Sequence, residues 1–171
     1  CGAAASLNIC LKALLNAGEE VITFAPFFPE YRVWVEGVGA TLNVIPAKLP
    51  DFQIDAAAFG QAITPKTKVV IVNTPNNPSG VVYSEETIKN LCTILKKKSE
   101  EYGAPIYLIT DEPYREIVYD DIKVPYLTKY YDNTLVCYSY SKSLSLPGER
   151  IGYIVIPDRI ADHEHVAPAI A

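Results

Sequence analysis

Apolar positions along the chain fall into two alternating patterns. In the first, short runs rich in β-branched and aromatic residues are bounded by Gly, Pro, Asn or Asp. The clearest, Lys68-Val69-Val70-Ile71-Val72-Asn73, is continuous rather than alternating, as suits a strand buried on both faces. Similar runs near residues 21–25, 41–46, 106–110, 134–138 and 151–156 predict five more strands. The run at 41–46 mixes polar positions into its alternation and ends on Pro46, which places it near a sheet edge.

The second pattern is helical. Between Gly2 and Ala17, Leu7, Cys10, Leu11, Leu14 and Leu15 share one face, and Gly18 is the expected C-cap. Pro29 to Val38 is amphipathic through Tyr31, Val33, Trp34 and Val38, with Gly39 as terminator. Asp55 is the expected N-cap of a short helix, and Ser84, followed by Glu85 and Glu86, opens a helix running to about Tyr102. Lys96 to Lys98 then complement the dipole at its far end, and a last helix starts over Arg159–Asp162. Strands alternating with helices predict an α/β fold, a three-layer α/β/α sandwich around a mostly parallel sheet.

Composition narrows the function. At 171 residues the chain suffices for one such domain, and no repeat or linker divides it, so 1–171 is read as a single unit. A net charge of −5 argues against nucleic acid or an anionic membrane as partner. No apolar run reaches membrane-spanning length, and the first residues lack the basic start of a signal peptide. Cys1, Cys10, Cys92 and Cys137 have no C-x-x-C spacing and read as small hydrophobes in a reducing cytosol, which implies a cytoplasmic protein. His163 and His165 stand two apart on a predicted helix and point apart, so no metal site is expected. The chain has no methionine and opens directly on a helical pattern, so it reads as a piece of a longer protein.

Candidate chemistry gathers at the carboxyl ends of the predicted strands, where open α/β sheets bind ligands. The run 134–138 delivers Ser139, Ser141 and Lys142, and a Gly-containing loop leads on to Arg150. A lysine that is partly desolvated beside another cation loses proton affinity and becomes an amine nucleophile. Hydroxyls and a guanidinium fork suit a phosphate. These parts describe a Schiff-base lysine beside a phosphate anchor, although Ser141 serves equally as a cap of the following turn. Strand 106–110 runs into Asp111-Glu112-Pro113-Tyr114, strand 68–73 into Asn73-Thr74-Pro75-Asn76-Asn77-Pro78-Ser79-Gly80, and strand 21–25 into Pro26-Phe27-Phe28-Pro29. Either Phe27 or Phe28 is suited to stacking on a flat ligand. The small residues Gly2-Ala3-Ala4 leave helix-terminal N–H groups open to an anion. Arg115, Glu116 and Tyr119 to Asp121 read as a solvated connector.

The spacing of Ser139, Lys142 and Arg150, the N-x-P-x-N-P-x-G signature and the D-x-x-Y turn together resemble the fold-type I aminotransferases of class I/II, the aspartate aminotransferase group. The resemblance covers nearly the whole chain. It implies pyridoxal 5′-phosphate as cofactor, with Lys142 as the Schiff-base lysine and Ser139, Ser141, Arg150 and the amides of Gly2, Ala3 and Ala4 on the phosphate. It selects Phe28 for the ring face, Asp111 for the ring nitrogen, and Asn77 and Tyr114 for the ring oxygen O3′; Lys142, Asp111 and Tyr114 are its catalytic residues. Glu112 would turn away, and Asn77–Pro78 would be cis. The family's large domain has seven strands in the order three-two-four-five-six-seven-one, the seventh antiparallel. By that comparison 151–156 is left at an edge, and 158–171 starts the connection to a small domain. Transfer of an amino group between an amino acid and a 2-oxo acid, in a homodimer, is the implied activity; the piece itself would be inactive. A cofactor-binding sensor domain of a transcription regulator and a same-fold lyase or aminocyclopropane carboxylate synthase are the alternatives.

Overall fold

The structure, a computed structural model, describes residues 2–171, and Cys1 lies outside the described residues. Six strands form one sheet: β1 (Glu20–Phe24), β2 (Thr41–Ile45), β3 (Thr67–Asn73), β4 (Tyr107–Asp111), β5 (Thr134–Ser139) and β6 (Gly152–Val155). Their order is β2-β1-β3-β4-β5-β6. All neighbours are parallel except β5 and β6. This agrees with the order three-two-four-five-six-seven within the arrangement that the resemblance implies, and the α/β sandwich expected from the alternation is what the chain forms.

Helices cover both faces. α1 (Gly2–Leu14), α2 (Glu30–Gly37) and α6 (His163–Ile170) lie on one side, and α3 (Ala56–Ala62) and α4 (Glu85–Tyr102) on the other. The continuous apolar run of β3 explains why both are needed. Val69 and Ile71 pack toward α1 and α2, Val70 and Val72 toward α3 and α4, and all four are fully buried. Cys10, Cys92 and Cys137 are buried, free thiols within these two cores. The predicted caps of α3 and α4 form: Asp55 accepts from the amides of Ala57 and Ala58, and Ser84 from that of Thr87.

Some boundaries differ from the sequence reading. α1 ends at Leu14, before Gly18, because Glu19 reaches back to accept from the Asn16 amide and closes a turn there. Lys98 pairs with Glu101 in the last turn of α4. The last helix starts at His163, because Asp162 sits at a left-handed φ of 55° that breaks any helix through Arg159–Asp162. That helix packs Val166 and Ile170 into the core beside α1. β6 is an edge strand, and Ile151, Tyr153 and Val155 beside its open side are exposed. The chain reverses direction across the sheet between β1 and β3, and the carboxyl ends of the parallel strands meet there.

Candidate active site

Four strand ends supply the site. Phe24, Asn73, Asp111 and Ser139 are the last residues of β1, β3, β4 and β5. Parallel pairing sets Asn73 beside Asp111 and Asp111 beside Cys137. The segments after these ends surround a cavity of about 300 Å³ lined by Ala3, Ala4, Phe28, Asn77, Asp111, Tyr114, Ser139, Ser141, Lys142 and Arg150, together with Leu7, Pro113 and Pro147. Every residue expected at the site lines it except Gly2, which stands at one corner beside Arg150 and Ser139.

That corner depends on two glycines. A Cβ on Gly2 would come 3.1 Å from an Arg150 guanidinium nitrogen and 3.6 Å from Ser139 Oγ, so it would fill the space between them. Gly2 also has a φ of +74°, which glycine adopts without penalty. Gly152 lets the helix start approach, since a Cβ there would meet the Tyr138 carbonyl at 2.3 Å and Gly2 Cα at 3.0 Å. The result is a pocket between a helix N-terminus, a guanidinium and two hydroxyls, which suits an anion. Ser141 lines the cavity, and its amide and hydroxyl bond to Ser139 Oγ in the cap of a one-turn helix, α5 (Tyr140–Ser143), as the capping reading expects.

Lys142 stands on α5 at the rim of the cavity. Its amine makes no hydrogen bond or ion pair among the described residues, so it is available for chemistry. The side chain is exposed rather than partly desolvated as expected, and residues 144–151 that follow it are exposed as well.

The opposite end is built differently. Asp111 is 5% exposed, and its Oδ2 accepts from the Tyr31 hydroxyl at 2.5 Å. Its Oδ1 is buried and has no partner among the described residues. Burial pushes the carboxyl up to about 7; the Tyr31 hydrogen bond opposes that rise and the neighbouring Glu112 charge adds to it. An orphaned carboxylate oxygen in a cavity wall calls for a donor from the ligand. Tyr114 is raised by burial and by Asp111, while the Asn77 amide opposes the shift.

The Asn77 loop is held by its own motif. Asn73 donates to the Asp111 carbonyl at 2.8 Å and accepts from the Asn77 amide at 2.6 Å, so one side chain ties the loop to β4. Asn76 donates to the Pro26 carbonyl, tying the loop to the turn that carries Phe28. The Thr74–Pro75 and Asn77–Pro78 bonds are both cis. Of the two adjacent rings, Phe28 lines the cavity, whereas Phe27 stacks on Tyr31.

Glu112 is turned away, bonded to Thr110 and paired with Arg115 at 2.5 Å. Arg115 corrects the sequence reading of a solvated connector. Its side chain is 11% exposed, donates to the Val124 and Pro125 carbonyls and stacks on Tyr126. It needs these contacts because Glu112 is buried, and a buried carboxylate requires a partner. Glu116, at the end of the same segment, accepts from Tyr138.

The sequence and the fold that carry this cavity are shared with known proteins. The family model for aminotransferase class I and II covers residues 1–165. The chain belongs to the class I and II aminotransferases. It is 33% identical over 162 residues to the probable N-acetyl-LL-diaminopimelate aminotransferase of Bacillus subtilis, covering 95% of this chain and 40% of that one. It is likewise 33% identical over 163 residues to the aspartate aminotransferase of Thermotoga maritima, covering 94% and 42%. A crystal structure of an aminotransferase from Eubacterium rectale superposes with a TM-score of 0.96 at 62% identity, covering 99% of this chain and 43% of that one. This aminotransferase chain therefore spans about 40% of the length of its curated relatives. No described helix is long and apolar enough to cross a membrane, and no group of His, Cys, Asp and Glu among the described residues is arranged to hold a metal ion.

Sequence reasoning missed two residues at this site. Asn73 opens the N-x-P-x-N-P-x-G signature, which by itself gives it no role. Tyr31 was read only as part of an apolar helix face, and nothing local to it signals a partner eighty positions away.

Proposed function

We propose that the protein transfers an amino group between an amino acid and a 2-oxo acid, with pyridoxal 5′-phosphate seated in this cavity. One observation carries the reading: a free amine, a buried carboxylate with an orphaned oxygen and a side-chain-free anion corner converge on a single cavity. The donor set fits the cofactor's three polar regions, its phosphate, its ring nitrogen and its aldehyde with the adjacent ring oxygen. When bound, pyridoxal phosphate supplies an aldehyde that captures amines and a ring that withdraws electrons from the substrate Cα.

The chain's own residues have separate tasks. Lys142 Nζ would be the nucleophile toward the cofactor's aldehyde and the base that takes the substrate Cα proton. Asp111 Oδ1 would accept from the ring nitrogen, and its charge would favour the protonated ring. Asn77 and Tyr114 would donate to the ring oxygen, and Phe28 would cover the ring face. Ser139, Ser141 and Arg150, with the amides of Gly2, Ala3 and Ala4, hold the phosphate dianion. The family resemblance adds a homodimer as the working assembly.

Borohydride reduction in the presence of pyridoxal phosphate, followed by peptide mass mapping, tests the assignment. The expected product is a phosphopyridoxyl adduct on Lys142. An adduct on another lysine, with Lys142 unmodified, overturns it.

A further inference from the structure

The hydrogen bond between Tyr31 and Asp111 joins two buried residues from different layers, and none of the roles above uses it. Tyr31 lies in the first turn of α2, is 1% exposed, and brings its hydroxyl to 2.5 Å from Asp111 Oδ2. Its ring is fixed on three sides, stacked on Phe27, edge-on to Phe28 and tilted against Trp34. A carboxylate otherwise rotates easily about its last torsion, which is broad and two-fold. Binding one oxygen to a rigid donor removes that freedom and directs the other. The other oxygen is Oδ1, the buried atom without a partner among the described residues.

Electrostatics support the same role. The groups around Asp111 are Tyr31 from α2, Glu112 beside it in the chain, Cys137 across the sheet from β5, and Tyr114 beyond the turn. Glu112 opposes an Asp111 charge, and of the groups acting on this carboxyl only the Tyr31 hydroxyl favours the anion. A pyridinium needs an anion opposite it, so a donor that favours the charged carboxylate before the ligand arrives prepares the site.

We propose that Tyr31 is the positioning residue for Asp111: its hydroxyl holds Oδ2 and so presents Oδ1, as a charged acceptor, to the protonated ring nitrogen of the cofactor. The proposal rests on the pyridoxal phosphate reading above. Tyr31 touches no reacting atom and acts only through Asp111. Because its ring also packs against Phe28, the same residue fixes both the in-plane partner of the cofactor ring and the ring that covers its face.

The test compares two ligands in the intact protein, pyridoxal phosphate and its analogue with carbon in place of the ring nitrogen. Wild type should bind pyridoxal phosphate more tightly than the carbon analogue. Tyr31→Phe should weaken pyridoxal phosphate about tenfold or more, the scale of a hydrogen bond to a charged group, and change the analogue's affinity less than twofold. Equal losses for both ligands would make Tyr31 a packing residue and overturn the proposal, as would no loss for either. Wild type binding both ligands equally would overturn the reading of Asp111 itself. The double variant Tyr31→Phe/Asp111→Asn, which removes the charge with its donor, guards against misfolding. Folding of the double variant where the single one fails supports the proposal, and failure of both counts against it.

Discussion

Asp111 and Lys142 face one cavity from supports of opposite kinds. Asp111 ends a strand flanked by two parallel neighbours, and its side chain and both flanking side chains are buried. Lys142 stands on a single turn of helix followed by an exposed loop in which Ser145 and Arg150 both adopt positive φ. The first end is positioned by the sheet, so its geometry is that of the core. The second is positioned by a few local hydrogen bonds around Ser139, so its geometry can change while the core stays intact. Changes at the Lys142 end should therefore act on chemistry with little effect on stability. Changes at the Asp111 end should act on both.

Lys142→Ala gives the largest expected effect and the sharpest form of this contrast. In the intact protein it should lower amino transfer by about 10⁴-fold or more, roughly 5 kcal/mol of barrier, because no other amine lines the cavity. Its melting temperature should stay near wild type, since exposed substitutions usually change stability by less than about 0.5 kcal/mol. A large loss of stability would show that α5 is not the independent support described here. Activity with an amino donor and a keto acid acceptor, measured beside thermal unfolding, separates the two effects.

Arg115→Ala should do the reverse. It strips Glu112 of its partner while leaving Glu112 buried, and breaking a buried pair in this way costs about 3–5 kcal/mol. Thermal or urea unfolding would report it. A loss below about 1 kcal/mol would mean that Glu112 rehydrates through the 112–126 segment.

Arg150→Ala returns to the loop end with a smaller effect. Loss of a charged hydrogen bond to phosphate should weaken pyridoxal phosphate by about ten- to a hundredfold, with unfolding unchanged. Pyridoxal without phosphate is the control, and its binding should not respond. If it weakens equally, Arg150 acts on the loop and not on the phosphate.

How much of this was legible follows the same division. The inner strands were visible because a strand buried on both faces must be a run of apolar residues, and β3 is the plainest case; β2 and β6, at the two edges, alternate more with exposed positions. The site residues were visible because short motifs follow strand ends, where the fold brings them together. Arg115 was misread because a charge in a polar segment ordinarily faces water; the Glu112–Arg115 spacing was the available signal. Tyr31 was hidden more deeply. A tyrosine on the apolar face of a helix reads as core, and its hydroxyl finds Asp111 only through the crossing of α2 over the sheet. The break before α6 depends on one left-handed residue, Asp162, which aspartate tolerates but does not announce.

The smallest expected effect concerns the charge on Asp111 itself. Its carboxyl is raised to about 7 in the folded chain, above an ordinary value of 3.8, and burial is the main cause. A group raised in this way favours the fold in its neutral form. The contribution is complete at pH below about 4, is lost as pH rises from about 4 to about 7, and stays lost above that. Asp111→Asn removes the charge and keeps an oxygen able to accept from Tyr31. It also buries an amide N–H that lacks a partner, which offsets much of the gain. The cofactor-free variant should therefore be more stable than wild type by only about 1 kcal/mol at pH 8, with the difference shrinking and then reversing as pH falls toward 4. Melting temperatures of both proteins across that range, without cofactor, would reveal it. Adding pyridoxal phosphate at pH 8 should reverse the order, because the ring N–H then gives the wild-type carboxylate its missing partner. A difference that stays flat from pH 4 to 8 would show that the charge on Asp111 is not opposed by burial, and the contrast between the two ends of the cavity would then rest on packing alone.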